Sequence, residues 1–273
     1  NPEARSWVLD RKITPDQVGT GISMEVRPWL DEMPADKLAE LLIGGIPFHE
    51  VPKEVAGPFT TAFAESSKAG FVIKPLPNTQ FMRDNSSWIF NGVTLNPMFW
   101  PARRQETLLT TGVYKFHPAF AGAEHNVWLG DPDGEPHDHG AVSLEGGDVM
   151  PLGKGIVLIG MGERSSRQAI SEVAQNLFKA GAAERVIIAV LPRSRAAMHL
   201  DTVFTFCNTD VLTAFAPVID HSTAISLRPD DKAPSGMTVE VEKKGLVEVV
   251  GKALGVKFTV VETAGDVYGI QRE

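Results

Sequence analysis

From Val149 to Pro192 the sequence runs VMPLGKGIVLIGM, then RSSRQAISEVAQNLFKAG, then RVIIAVLP. The first and last pieces are short apolar runs rich in Val and Ile. The middle piece repeats Ile170, Val173, Ala174 and Leu177 at helical spacing. Short apolar runs on either side of a segment with helical period read as strand, helix, strand. A chain built this way is confined to folds in which helices cover a sheet, so the expected class is α/β.

The same texture extends over most of the chain. After Gly70, short β-like runs are separated by turns: FVIKPLP, SSWIFNGVTLNP, HNVWLGDP, MHLDTVFTFC, VLTAFAPVI and KFTVVET, with a second helical pattern in LVEVVGKALG. Before Gly70 the sequence reads as helices. Thr14-Pro15-Asp16 combines an N-cap, a first-turn proline and an acid suited to the helix dipole, opening a helix to Asp31 with Pro28 as its expected break. PADKLAELLIGG sets Leu38, Leu41 and Leu42 on one face and offers Gly44 as a stop. GPFTTAFAESSKAG reads as a further helix ended by Gly70. The expected organisation is a helical subdomain over residues 1–70 and an α/β domain over 71–273.

Composition removes several classes of function. A net charge of -8 opposes general nucleic-acid binding, which needs a basic face to displace counterions, and points to a small-molecule partner. The single cysteine, Cys207, excludes an internal disulfide and favours a cytoplasmic setting. No apolar stretch of about 18 residues and no signal peptide is present, so no membrane partner is expected. The opening Asn1-Pro2 and the stop at Glu273 after a strand-like run suggest a fragment.

Several polar residues interrupt this pattern. PLPNTQFMRDNSSWIF puts Asn78, Phe81, Arg83 and Asp84 in a Pro-framed loop feeding a strand near Ser87, either as binding groups or, for Asp84 and Asn85, as a turn start. LEGGDVMPLG sets Glu145 and Asp148 around two glycines, where they either converge on a ligand or form an acidic turn. Arg164, in the turn GMGER, offers a planar fork for a carboxylate or a solvated surface charge. GMGER lacks the spacing of a dinucleotide fingerprint.

In MHLDTVFTFC, read as a strand, His199 and Asp201 share one face and either meet solvent or serve a polar pocket, the pocket being the preferred reading. Cys207 has the same parity. Eight extended residues would put it about 26 Å from His199, too far for a thiol and its base, so Cys207 is expected to be an inert core residue. His137 and His139, in GDPDGEPHDHG, invite a metal but lack a spaced second pair of soft ligands, and no metal is expected there.

Together, PLPNTQFMRDNSSWI, GVTLNPMFWPARRQET, LEGGDVMPLGKGIVLIGMGERSSRQAI and SRAAMHLDTVFTFC resemble the arginine deiminases in order and spacing, with the likeness extending from Trp7 to Glu273. That resemblance implies hydrolysis of L-arginine to L-citrulline and ammonia by covalent cysteine catalysis, with no cofactor, on a five-bladed α/β propeller with a helical insertion, of which this chain is an incomplete part. It implies Asp84 and Asp201 as a guanidinium clamp, and His199 as acid and base oriented by Glu145. It further implies Arg103 and Arg164 on the substrate carboxylate, Asn78 and Asp148 as positioning groups, and Phe81 along the aliphatic stem. The family's nucleophile is a cysteine near the C-terminus, so it is expected beyond Glu273, and the 273 residues alone are expected to be inactive. A homo-oligomer is expected. A non-catalytic arginine-binding protein, or another guanidino hydrolase or amidinotransferase of the same fold, remains the alternative.

Overall fold

The structure, a computed structural model, describes residues 1–66, 70–120, 122–133 and 141–263. It divides into two compact units, one of Asn1–Met82 with Trp100–Ala123 and one of Arg83–Phe99 with Glu124–Glu273. The first unit thus continues past residue 70 and takes in a later segment. Among the described residues no helix is long and apolar enough to cross a membrane.

The first unit holds α1 (Pro2–Lys12), α2 (Pro15–Val18), α3 (Thr20–Glu32), α4 (Ala35–Gly44), α5 (Pro58–Ser66) and α6 (Glu106–Phe116), with the antiparallel pair β1 (Ile46–Pro47) and β2 (Phe71–Ile73). Its core gathers Leu9, Ile13, Ile22, Val26, Leu30, Leu38 and Leu42. The unexpected helix α6 belongs here because it packs on α1, where Trp7 meets Phe116 edge to face at 5.8 Å.

Thr14 caps α2 through its side chain, as Thr-Pro-Asp implies. The break expected at Pro28 falls instead at Gly19, whose φ of 84° ends α2, while Pro28 lies inside α3. An interior proline costs about 3 kcal/mol. Burial of Ile22, Val26 and Leu30 on the same helix, worth about 1.5–3 kcal/mol each, outweighs it. The stop of α4 is Gly45, at φ 86°, rather than Gly44. Residues 67–69, between α5 and Gly70, lie outside the described residues.

Among the described residues the second unit has three mixed sheets and three α-helices, which makes it α/β. β3 (Ser86–Ile89), β4 (Gly92–Leu95) and β5 (Asn126–Leu129) form one sheet, antiparallel then parallel. The central sheet contains β6 (Val149–Gly153), β7 (Ile156–Met161), β8 (Arg185–Val190), β11 (Ala224–Pro229) and β12 (Met237–Val241) in the order β12-β11-β8-β7-β6. Only β7 and β8 are parallel in it, joined through α7 (Arg167–Lys179). The third sheet pairs β9 (Phe204–Phe206) with β10 (Val211–Ala214) and β10 with β13 (Thr259–Glu262). The short α8 (Ala216–Ile219) and α9 (Leu246–Leu254) complete the unit.

The central strands are apolar throughout because both faces are covered. Val157, Ile159, Val186 and Ile188 pack with Ile170, Val173, Ala174 and Leu177 of α7. The alternate residues Leu158, Ile187 and Ala189 pack with Phe204, Leu212, Leu246 and Val250. Neither β11 nor β12 was expected. β12 is an edge strand with four of its five residues exposed, so no apolar run marks it.

The strand expected from Met198 to Cys207 survives only as β9. Leu200–Thr202 form a 3-10 turn capped by His199, because the Leu200 N–H donates to Asp148 Oδ1 at 2.8 Å and the Thr202 hydroxyl to the His199 carbonyl at 2.6 Å. Strand parity therefore does not relate His199 to Asp201. Cys207 is exposed rather than in the core. It starts the β9–β10 hairpin turn, with its N–H and that of Asn208 both donating to the Val211 carbonyl. His137 and His139 lie outside the described residues.

Candidate active site

In the second unit, parallel β7 and β8 end at Met161 and Val190, and both chains then leave the sheet at the same end. Loops at the C-terminal ends of parallel strands are where α/β folds gather binding groups. The loop after β7 carries Arg164 and Ser165 up to Ser166, which caps α7 through its hydroxyl. The loop after β8 carries His199 and Asp201. β6 is antiparallel to β7, so the 3-10 turn Gly146–Asp148 that opens it arrives at that end too, with Glu145 before it. Asp84 precedes β3, and its carbonyl accepts from Gly146 N at 3.1 Å.

Five polar groups meet there, all buried: Asp84, Glu145, Asp148, Arg164 and His199. His199 Nε2 lies 2.8 Å from Glu145 Oε2, the oxygen that also accepts from Arg164 Nη1 at 3.1 Å. The other Glu145 oxygen accepts from Phe99 N at 3.2 Å. Asp84 Oδ1 lies 3.8 Å from His199 Nδ1 and accepts from Gly147 N at 3.2 Å. The imidazole is thus flanked by a carboxylate at each nitrogen. A side chain on Gly147 would put its Cβ 2.5 Å from His199 Nδ1, so the close approach requires glycine.

Asp148 is engaged within the protein through both oxygens. Ser165 Oγ donates to Oδ2 at 2.5 Å and Leu200 N to Oδ1 at 2.8 Å. It ties the loop before β6 to the two loops after β7 and β8. Asp201 is half-buried and carries Arg83 Nε on its Oδ2 at 3.5 Å.

Burial shapes the charges. It pushes the Asp148 carboxyl up to about 7, against the opposing pull of His199, Ser165 and the Leu200 N–H. Asp201 is raised for the same reason, His199 and Arg83 opposing and Asp84 adding. Burial disfavours protonated His199, but the Glu145 hydrogen bond and the charges of Asp148, Asp84 and Glu145 together outweigh it, so its pKa is raised. A raised pKa favours the protonated imidazole, the form a general acid needs. Asp84, Glu145 and His199 each offer a ligand atom within 4.8 Å of the others, enough to hold a metal ion. In this arrangement Arg164 already places a cation against Glu145.

The remaining expected residues belong to the first unit. The Arg103 fork grips Glu106 through Nε at 2.9 Å and Nη2 at 2.8 Å, and Nη2 also donates to the Phe81 carbonyl at 3.2 Å. Asn78 accepts from Phe81 N at 2.9 Å through its carbonyl, and the Phe81 ring is exposed. The sequence gives no pattern for Ser165, Leu200 N or Glu106 as partners. Ser165 sits beside the helix cap Ser166, and Glu106 lies three residues after Arg103 at a spacing that suits an ion pair once the helix is known.

Among solved structures, a dimethylarginine dimethylaminohydrolase in an adduct with S-methyl-L-thiocitrulline is similar at 17% identity over 72% of this chain and 74% of its own, with a TM-score of 0.39. The dimethylarginine dimethylaminohydrolase of Pseudomonas aeruginosa, complexed with citrulline, matches at 15% identity over 84% of this chain and 89% of its own, with a TM-score of 0.37. A variant of AgrE in complex with L-arginine matches at 17% identity over 63% of this chain, which spans 25% of AgrE, with a TM-score of 0.38. The arginine deiminase family matches over all of residues 1–273, and the chain belongs to that family.

Proposed function

We propose that the chain carries the guanidinium-binding and acid–base machinery of an arginine deiminase, which hydrolyses L-arginine to L-citrulline and ammonia. The observation that carries this reading is the buried imidazole of His199, hydrogen-bonded to Glu145 at 2.8 Å and flanked by Asp84 at 3.8 Å, with Asp201 two residues on. A guanidinium is a delocalised cation and a poor electrophile. Carboxylates that grip its N–H groups hold it in place and favour attack at its carbon.

In this reading Asp84 and Asp201 grip the guanidinium. A cysteine thiolate attacks the central carbon, and ammonia departs with a proton delivered by His199. The neutral imidazole then takes a proton from water, whose oxygen adds to the same carbon, and the C–S bond breaks to return the thiolate and leave citrulline. Glu145 orients His199, and Asp148 holds the His199 loop through Leu200 N. Arg164 serves the α-carboxylate. Cys207 is exposed at a hairpin turn. In this reading the attacking thiolate is a cysteine other than Cys207. The three mixed sheets of the second unit serve in it as blades of an incomplete five-bladed propeller.

Calorimetric titration with L-arginine tests the clamp. The chain should bind arginine, and Asp84→Asn and Asp201→Asn should each weaken binding at least about tenfold, the scale of losing a charged hydrogen-bond partner. Equal affinity in all three proteins would sink the reading.

A further inference from the structure

Arg83 and Asp84 are sequence neighbours with opposite charges at one site. The Arg83 backbone is held: its carbonyl packs where a side chain on Gly146 would be, so only glycine fits there. The Arg83 side chain is not held in this way. It is 62% exposed, and its two contacts are long, Nε to Asp201 Oδ2 at 3.5 Å and Nη2 to the Val149 carbonyl at 3.4 Å. A guanidinium therefore already rests on one of the two carboxylates assigned to the substrate's guanidinium, through one nitrogen rather than a two-nitrogen fork.

We infer that Arg83 is an internal competitor for Asp201, a specificity-determining residue that any incoming guanidinium must displace. This rests on the proposed role of Asp201 as part of the clamp. Asp201 is half-buried with Asp84 close by, so leaving it without a cation is unfavourable. His199 and Arg83 both offset the Asp201 charge, and the exposed Arg83 head is the one an incoming ligand can replace. Displacement is easy because the Arg83 head swings into water without moving the anchored backbone, and an exposed monodentate pair is weak. A ligand that offers a paired fork exchanges one loose contact for two directed ones. A simple ammonium offers no fork. Arg83 thus raises the threshold for all cations and lets guanidinium groups cross it most readily.

The test is calorimetric titration of the 273-residue chain with L-arginine, comparing wild type, Arg83→Gln, Arg83→Lys, Asp201→Asn and the Arg83→Gln/Asp201→Asn double variant. Arg83→Gln should tighten binding about twofold to fivefold, the worth of an exposed ion pair. Arg83→Lys, which keeps a cation, should stay within about twofold of wild type. With Asp201→Asn in place, Arg83→Gln should have no further effect, since competition for a missing carboxylate cannot occur. Tightening that persists in the Asp201→Asn background shows general repulsion and overturns the inference. So does arginine binding by Arg83→Gln that is equal to or weaker than wild type. If neither wild type nor Arg83→Gln binds arginine, the clamp reading itself falls and the inference with it, an outcome distinct from failure of the competitor alone.

Discussion

His199 Nε2 and Glu145 Oε2 stand 2.8 Å apart in a site where Glu145 has no solvent contact. The same Glu145 oxygen accepts from Arg164, so one carboxylate serves two cationic partners. In Glu145→Gln that charge is lost while burial remains, and burial disfavours the imidazolium. The His199 pKa should fall, followed by NMR titration of its ring protons. Stability should fall by about 3 kcal/mol, as for a broken buried pair, measured by urea denaturation. An unshifted His199 titration would show that Glu145 does not set its proton affinity.

Asp148 sets an acid–base signature on stability. Its folded pKa of about 7 lies above the value of about 3.9 for an unfolded aspartate. Between those values the folded chain binds more protons than the unfolded one, so the contribution present at low pH is lost as pH rises through about 7. His199, also raised, acts in the same direction above its unfolded pKa of about 6.5. Asp148→Asn should flatten the fall in Tm between pH 4 and 7. A wild-type Tm that rises across this window would contradict the assignment.

Gly147→Ala tests the close approach to the imidazole. The added Cβ would lie 2.5 Å from Nδ1 and 2.7 Å from Cγ of His199, so the ring must shift. Arginine affinity should drop at least about tenfold, since small misplacements at reacting centres have effects of this size or more. Titration beside a thermal melt separates site distortion from unfolding. Unchanged affinity would show that the ring moves without consequence.

Cys207 should behave as a surface thiol. The native protein should react with one equivalent of Ellman's reagent at the rate of its unfolded form within about tenfold, because the residue is exposed. Cys207→Ser should change stability by less than about 0.5 kcal/mol and leave arginine affinity unaltered. Slow native labelling would overturn the exposed assignment.

Where packing follows local periodicity, the sequence was a reliable guide. Ile170, Val173, Ala174 and Leu177 were expected on the buried face of α7, and all four are fully buried. Where a long-range contact competes with periodicity, it failed. MHLDTVFTFC has the apolar residues of a strand, yet Asp148, 52 residues away from Leu200, captures its N–H and turns the backbone. Pro28 has the marks of a helix break, yet three buried side chains hold α3 through it. The candidate site divides in the same way. The types and order of Asp84, Glu145, His199 and Asp201 were visible as motifs. The groups that engage Asp148, namely Ser165 and Leu200 N, and the Arg83 side chain on Asp201, were not.

The sequence alone determined the alternation of strands and helices that marks the α/β class, and the order of Asp84, Glu145, Asp148, His199 and Asp201 along the chain. Both are local properties, periodicity and residue order, which the sequence displays directly. Only the tertiary structure decided that Cys207 is exposed, that His199 caps a 3-10 turn holding Asp201, and that Arg83 lies on Asp201. The turn and the Arg83 contact depend on groups far apart in the chain, Asp148 with Leu200 and Arg83 with Asp201, which meet only when the protein folds.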